Sequence, residues 1–289
     1  MPNIFGKISA SIKKGFQLLQ KNDPLILSAS TAFFTTFSLS PIFIILTDLL
    51  SPFMGREIVH KELFDKIQDP LGSATAKDVH TIVDGFEGLE SNPLLIVIGT
   101  LFFYFIATTL LSVVKQAIHQ IWSLKKKTPH TAMYFVKERL TGIAIMFLVA
   151  LLAAISYAMD VFELTLQGNR ILAFLIGTAF SLTIVTIFFT ILLKFLPEAK
   201  VRWPVAIAGG FFTGLFFNAG VFILGKILIH KKIAMIFGAS SSMAMVLLFI
   251  FYCSFILYLS VAFTYEFAKA IRKPIRAGKF AIEFTEEAK

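Results

Sequence analysis

Polar side chains recur at helical spacing in the first long apolar run of the sequence. Ser28, Thr31, Thr35 and Ser38 follow one another at intervals of 3, 4 and 3 residues, which places them on one stripe of a helix. In an apolar helix, such a stripe either hydrogen-bonds to a neighbouring helix or lines a wetted cavity. Pro41 follows the stripe and predicts a kink or a gate.

Small residues and one amide share a face of the fifth apolar run. Gly210 and Gly214 form a small-xxx-small pair, Asn218 lies one turn further along, and Gly225 lies two turns beyond that. Glycines at this spacing predict a closely packed helix face. Asn218 either completes that packing or lines a substrate site, because a buried amide needs hydrogen-bond partners and also binds ligands.

Two ionisable residues near the ends of apolar runs also suggest chemistry. Glu266 closes the last run after 26 residues without a charge. It either bonds to a helix end or a basic neighbour such as Arg139 or Lys194, or it takes part in coupling or substrate binding. Arg139 precedes the third run, where it either anchors the helix or contacts a phosphate or lipid headgroup.

The residues needed for catalysis do not form a recognisable constellation. The five His residues are scattered, without HExxH or metal-ligand spacing, and neither a Walker A loop nor a GxSxG motif occurs. Cys253 is alone in an apolar run, which rules out an intrachain disulfide. We therefore expect no enzymatic activity, no metal and no cofactor.

The elements that carry these residues are predicted to be membrane-spanning helices. The 289 residues are 56% hydrophobic and 16% charged, with a mean hydropathy of +0.78, so water is not the main solvent. Because a crossing needs about 20 apolar residues in a helix, the sequence predicts an all-α protein with six transmembrane helices. The predicted spans are about 25–50, 93–114, 141–160, 171–196, 203–229 and 240–265.

The distribution of lysine and arginine predicts that both termini are cytoplasmic. One set of alternate connections, which includes both termini, carries 19 of these residues, and the opposite set carries 8; the excess marks the cytoplasmic side. The acidic loop over 51–92 should lie outside, with short amphipathic helices. A six-helix domain over 1–272 is followed by a cytoplasmic tail over 273–289.

Several motifs follow one another in the order of a known family. Residues 32–41 (AFFTTFSLSP) are similar to an Ala-aromatic stretch that leads to Ser-Leu-x-Pro, and residues 117–122 (AIHQIW) are similar to an Asn-x-Ile-Trp element, with His119 at the Asn position. Residues 196–210 carry matching Leu-Pro, Val, Trp and Gly-Gly positions. Over about 10–272 the sequence resembles the YihY/BrkB family of bacterial inner-membrane proteins, once labelled ribonuclease BN.

Glu266 matches the acid of a Gly-Ala-Glu that closes the family pattern, although Thr264 and Tyr265 replace the small pair. The resemblance implies six spans, a location in the bacterial inner membrane, and transport or export, including of lipid-like envelope components. It also implies membrane lipids and a small-molecule or lipid substrate as partners.

We expect a transporter with a polar cavity between its helices; the alternative is a non-transporting envelope scaffold. A ribonuclease and a nucleic-acid partner are not expected, because the basic residues are explained by topology.

Overall fold

Long helices make up most of the protein. The computed structural model describes residues 4–71, 93–127, 132–165, 170–228, 241–278 and 280–284. The helices are α1 (Ile4–Gln20), α2 (Pro24–Met54), α3 (Arg56–Leu71), α4 (Pro93–Ile121), α5 (Ala132–Thr165), α6 (Arg170–Phe195), α7 (Trp203–Leu228) and α8 (Ser241–Ala270). Within the described residues, four helices are long and apolar enough to cross a membrane, or five if the bent α2 is one span.

Helix α2 starts at a proline and bends at a second one. Pro24 occupies the first turn, where the missing N–H costs no hydrogen bond. The segments Pro24–Leu39 and Ile42–Met54 meet at 54°, and Pro41 lies at the break, where its ring prevents a regular backbone hydrogen bond. Gly55 then ends the helix with a φ of 84°, which glycine adopts without strain.

Two helices are longer than the apolar runs that predict them. Helix α5 starts at Ala132 and ends at Thr165, whereas the apolar run covers 141–160, and α4 continues to Ile121 beyond the run that ends at 114. Hydropathy detects only the part of a helix that suits hydrocarbon, while the backbone hydrogen bonds continue through flanking polar residues. The extensions matter here because they carry charged side chains.

Four short strands gather at one end of the helix bundle, which we call the ribbon end. Strand β1 (Leu124–Lys126) pairs with β4 (Ala281–Glu283), and β2 (Ala199–Lys200) pairs with β3 (Arg276–Ala277), both antiparallel. The C-terminal tail therefore contacts both the α4–α5 and the α6–α7 connections. The all-α prediction did not include these strands, because two or three residues are too few to produce a visible alternation.

The turn at the end of α8 directs the tail onto this surface. Arg272 has a φ of 57°, its N–H donates to Lys269 O at 3.0 Å, and the N–H of Lys273 donates to Ala268 O at 2.8 Å. This is the Schellman pattern of a helix C-terminus, and Pro274 follows it, where no helix can continue. Within the described part of the tail, residues 276–277 and 281–283 are therefore paired with other segments of the fold.

The buried residues form two clusters. One lies at the ribbon end and includes Leu19 of α1, Trp122, Leu193 and Tyr258. The indole N–H of Trp122 donates to Val261 O at 2.9 Å, so this large side chain is buried with its polar atom satisfied. The second cluster lies toward the other end, where Val59 and Leu63 of α3 pack against α2 and α8. Val59 and Leu63 are four residues apart, which places both on one face of α3.

Candidate functional site

The polar stripe of α2 lies mainly against neighbouring helices. Thr31 and Tyr258 of α8 share a hydrogen bond in the core, and Ser38 Oγ donates to Phe34 O at 2.7 Å and approaches Ile106 O of α4 at 3.5 Å. Ser28 is fully buried, and its hydroxyl has no hydrogen-bond partner among the described residues. Thr35 is half-buried.

The glycine face of α7 packs on α6. Gly210 faces Thr190 and the backbone of Thr186, and Gly214 faces the hydroxyl of Thr186. Asn218 extends the same contact, since its Oδ1 accepts from Ser181 of α6 at 2.8 Å and its Nδ2 donates to Gly214 O at 2.9 Å. These residues fix α6 and α7 as a closely packed pair.

Glu266 lies in the last turns of α8 and is paired locally. Its Oε1 is 3.0 Å from Nζ of Lys269, whose ammonium also lies 4.1 Å from the centre of the Tyr265 ring. Arg139 lies in α5, and Gly225 in the last turns of α7. The side chains of Pro41 and Arg139 and the surroundings of Gly225 are outside the part of the structure that is described, as is the second half of the 51–92 loop.

The predicted site residues therefore point to different partners. Thr31 bonds to α8, Asn218 bonds to α6, and Glu266 bonds within its own helix. A cavity with charged residues lies elsewhere, between α5 and α6. Its charged residues come from the ends of helices and from the short turn between α6 and α7.

A cleft of about 720 Å³ lies at the ribbon end, between the first half of α5 and the end of α6. This volume is typical of pockets for small ligands, which measure about 300–1,000 Å³. The walls are mostly apolar: α5 contributes Leu140, Ala144, Ile145, Phe147, Leu148 and Leu151, with Thr141 as its polar residue, and α6 contributes Ile191 and Phe195. Pro197, Glu198, Ala199, Lys200 and Gly278 close the cleft at the ribbon end, beside Lys194.

The turn between α6 and α7 fits tightly against the tail. Gly278 donates its N–H to Glu198 O at 2.9 Å, and a Cβ at Gly278 would lie 2.8 Å from the same oxygen. Glycine is required there because the two backbones approach so closely. The tail thereby holds the residues that form the charged end of the cleft.

Beneath this end lies a buried ion pair. Nζ of Lys115 is 3.4 Å from Oε1 of Glu198, and their side chains are 9% and 8% exposed. His119, one turn after Lys115 on α4, accepts the backbone N–H of Glu198 at Nε2, at 2.9 Å. An accepting Nε2 carries no proton, so the neutral ring holds its proton on Nδ1. Buried charges are tolerated when they are paired and hydrogen-bonded in this way.

A second lysine is held at the rim of the cleft. Nζ of Lys194 donates to Val201 O at 2.6 Å and lies 4.9 Å from the centre of the Trp203 ring. The hydrogen bond and the cation–π contact fix the position of the ammonium. Lys200 is exposed on β2 and also lines the cleft.

Lys115 and Glu198 are not among the site residues that the sequence predicts. Lys115 directly follows the predicted end of the second span, where a lysine is expected to be a cytoplasmic charge, but α4 continues past it. The available signal was the i,i+4 spacing of Lys115 and His119, which places both on one helix face. In the part of the chain that the structure describes, no three His, Cys, Asp or Glu side chains form a group suited to a metal ion.

The comparisons with known proteins identify the family. The sequence model of the family described as virulence factor BrkB matches residues 16–280. The chain belongs to the BrkB family. This confirms the resemblance given by the motifs, and together with the apolar helices it indicates a multi-pass membrane protein. Comparison with curated proteins and with solved structures gives no significant match.

The BrkB match includes the cleft as well as the apolar helices. Leu140, Lys194, Glu198 and Gly278 all lie within residues 16–280. The cleft and its charged end are therefore formed by the part of the chain that is shared with the family.

Proposed function

We propose that this BrkB-family protein binds a lipid-like amphiphile in the α5–α6 cleft and transports it across the inner membrane of a bacterium. The observation that carries the proposal is the polarity of the cleft, with apolar walls along the helices and charged groups at the ribbon end. An amphiphile has the same division into an apolar chain and a polar head.

The depth of the cleft supports a lipid-like substrate. Leu140 and Leu151 are eleven residues apart on α5, which corresponds to about 16 Å along a helix. The hydrocarbon core of a bilayer is about 30 Å thick, so the apolar wall is about as deep as one leaflet. The candidate span of α5 starts at Leu140, and an acyl chain on this wall would lie level with those of the surrounding lipid.

The proposed topology has six crossings with both termini in the cytoplasm. The structural feature that supports it is the ribbon end, where α1, the α4–α5 and α6–α7 connections and the tail all meet. These are the segments that carry the excess of lysine and arginine, so the positive-inside rule favours a cytoplasmic ribbon end. The sequence has no ATP-binding motif, and we propose an ion gradient or the substrate's own gradient as the driving force. We further propose that the protein is not an enzyme.

The test compares two tryptophan substitutions in neighbouring residues of α5. Ala144 lines the cleft, whereas Ile143 is exposed at the same depth and does not line it. In proteoliposomes that hold the purified full chain, a fluorescent phospholipid in one leaflet is bleached by an added impermeant reductant. This reports its rate of movement between leaflets, with and without an imposed proton or sodium gradient.

We expect Ala144→Trp to slow movement by more than about fivefold, because the indole, a bulky side chain that buries about 150–250 Å², would project into the cleft and obstruct it. Ile143→Trp should match the unsubstituted protein. If no lipid movement exceeds that of protein-free vesicles under any gradient, the transport proposal is wrong. Equal rates in the two variants would show that the cleft is not the path.

A further inference from the structure

The charges of the described residues that line the cleft do not balance. Two of these residues, Lys194 and Lys200, are basic, and one, Glu198, is acidic. Glu198 is already paired with Lys115, which lies behind the turn and does not line the cleft. The negative charge of Glu198 is therefore compensated by Lys115, outside the cleft. The positive charges of Lys194 and Lys200 remain on the side that faces a ligand.

The ion pair is buried, so its compensation is not shared with water. Both side chains are less than a tenth exposed, and in such a site charges interact more strongly than at a surface because the effective dielectric constant is lower. Without Lys115, the carboxylate of Glu198 would repel an anion at the end of the cleft more strongly. Lys115 thus influences the charge that a ligand meets although it lies outside the cleft.

Lys194 is arranged to present donors at a fixed place. An ammonium has three N–H donors, and one of those on Lys194 bonds to Val201 O. The remaining donors and the fixed position beside Trp203 suit an acceptor with several oxygens, such as a phosphate. Lys200, on β2, adds a second positive charge.

We propose that the cleft selects amphiphiles with a net negative, phosphate-bearing headgroup, that Lys194 and Lys200 contact this headgroup, and that Lys115 is a positioning residue that compensates Glu198. The inference rests on the cleft being the ligand site of the proposed function. A zwitterionic headgroup carries its own cation, which the two lysines would repel, so it should bind more weakly.

The experiment measures binding of two lipids with identical short chains. The full chain in detergent is titrated calorimetrically with dioctanoyl phosphatidylglycerol, which is anionic, and with dioctanoyl phosphatidylcholine, which is zwitterionic. Inorganic phosphate and glycerol phosphate are titrated in parallel to separate a lipid site from a site for soluble anions. The variants are Lys115→Met, Lys200→Gln, Glu198→Gln, the double variant Lys115→Met/Glu198→Gln, Ala144→Trp, and Lys13→Gln, which alters an exposed lysine of α1 outside the cleft.

We expect the unsubstituted protein to bind phosphatidylglycerol at least about fivefold more tightly than phosphatidylcholine, with the preference falling at high salt. Lys115→Met should weaken phosphatidylglycerol binding by about fivefold or more and leave phosphatidylcholine binding little changed, because loss of the Lys115 charge strengthens the repulsion between the Glu198 carboxylate and a net negative headgroup. The double variant should recover the preference, and Lys13→Gln should retain it. If Lys115 had a purely structural role, Lys115→Met would weaken the binding of both lipids to the same extent.

Two results would overturn the inference. In the first, the two lipids bind with equal affinity and Ala144→Trp abolishes the binding of both. The cleft would then be the binding site but would not select by charge. Inorganic phosphate that binds as tightly as phosphatidylglycerol would identify a site for a soluble anion instead. If neither lipid binds and Ala144→Trp has no effect, the cleft of the proposed function fails as well. If Lys115→Met does not fold, Lys200→Gln and Glu198→Gln decide, the first lowering and the second raising the preference for the anion.

Discussion

The ion pair between Lys115 and Glu198 joins two elements that are distant in sequence. It connects the C-terminal part of α4 to the turn after α6, and His119 adds a hydrogen bond to the same turn. Removing one partner of a buried pair typically costs about 3–5 kcal/mol, whereas replacing both with uncharged groups often costs little. The double variant is therefore informative about charge in a way that either single variant is not.

A second buried contact at the residue scale joins Thr31 to Tyr258. Both side chains are buried, and their hydroxyls bond to each other between α2 and α8. Tyr258→Phe and Thr31→Val should each lower the free energy of unfolding, and the double-mutant cycle should give a coupling of about 0.6–1.7 kcal/mol, as hydrogen bonds between helices in membranes do. Reversible unfolding in mixed detergent and dodecyl sulfate micelles measures it. Strictly additive effects would mean that the two hydroxyls do not interact.

At the scale of the element, the α6–α7 pair provides a firm wall for the cleft. Thr186 and Thr190 face the glycines of α7, while Ile191, the next residue along α6, lines the cleft. The hydroxyls of Thr186 and Thr190 have no hydrogen-bond partner among the described residues. Close backbone packing at the glycines and the hydrogen bond from Ser181 to Asn218 therefore hold this pair of helices together.

Gly210 should be sensitive even to alanine. A Cβ there would lie 2.7 Å from Thr186 O, a backbone atom that cannot rotate away. Overpacking of this kind typically costs about 1–3 kcal/mol, so Gly210→Ala should lower the thermal unfolding temperature of the detergent-solubilised protein.

Gly6→Ala in α1 is the matched control for Gly210→Ala. Its Cβ would have no neighbour within 4 Å, and alanine favours a helix over glycine by about 0.8–1.0 kcal/mol. The control should therefore unfold at the same temperature as the unsubstituted protein or slightly higher. If the two variants behave alike, the close contact between α6 and α7 is not present in the membrane protein.

At the scale of the whole molecule, the orientation in the membrane can be tested with cysteine labelling. Cys253, the one cysteine of the sequence, is replaced by Ala, and single cysteines are placed at Lys127 and Glu57. Both residues are exposed, the first at the ribbon end and the second at the start of α3.

An impermeant maleimide added to spheroplasts should label the cysteine at position 57 and spare the one at 127, because we expect the ribbon end to be cytoplasmic. In inverted vesicles the pattern should reverse. Labelling of position 127 in intact spheroplasts would place the ribbon end outside and contradict the count of lysine and arginine.

Local patterns in the sequence were enough to predict a membrane environment, the family and most of the helices. Apolar runs predicted helices at 171–196 and 203–229, and the structure has them at Arg170–Phe195 and Trp203–Leu228. These predictions succeed because hydrophobicity over some 20 residues and a Pro near a helix start are local properties. The glycine spacing of α7 likewise identified a face that lies against another helix.

Which polar groups meet could not be predicted from the sequence and follows from the tertiary structure. Ser28, Thr31, Asn218 and Glu266 were grouped by their type, but each side chain's neighbours depend on the rotation and pairing of helices, and periodicity within one helix does not specify its partner. The ion pair of Lys115 with Glu198 spans 83 residues. The cleft needs the tail to fold back onto the α6–α7 turn, a long-range contact that leaves no local pattern in the sequence.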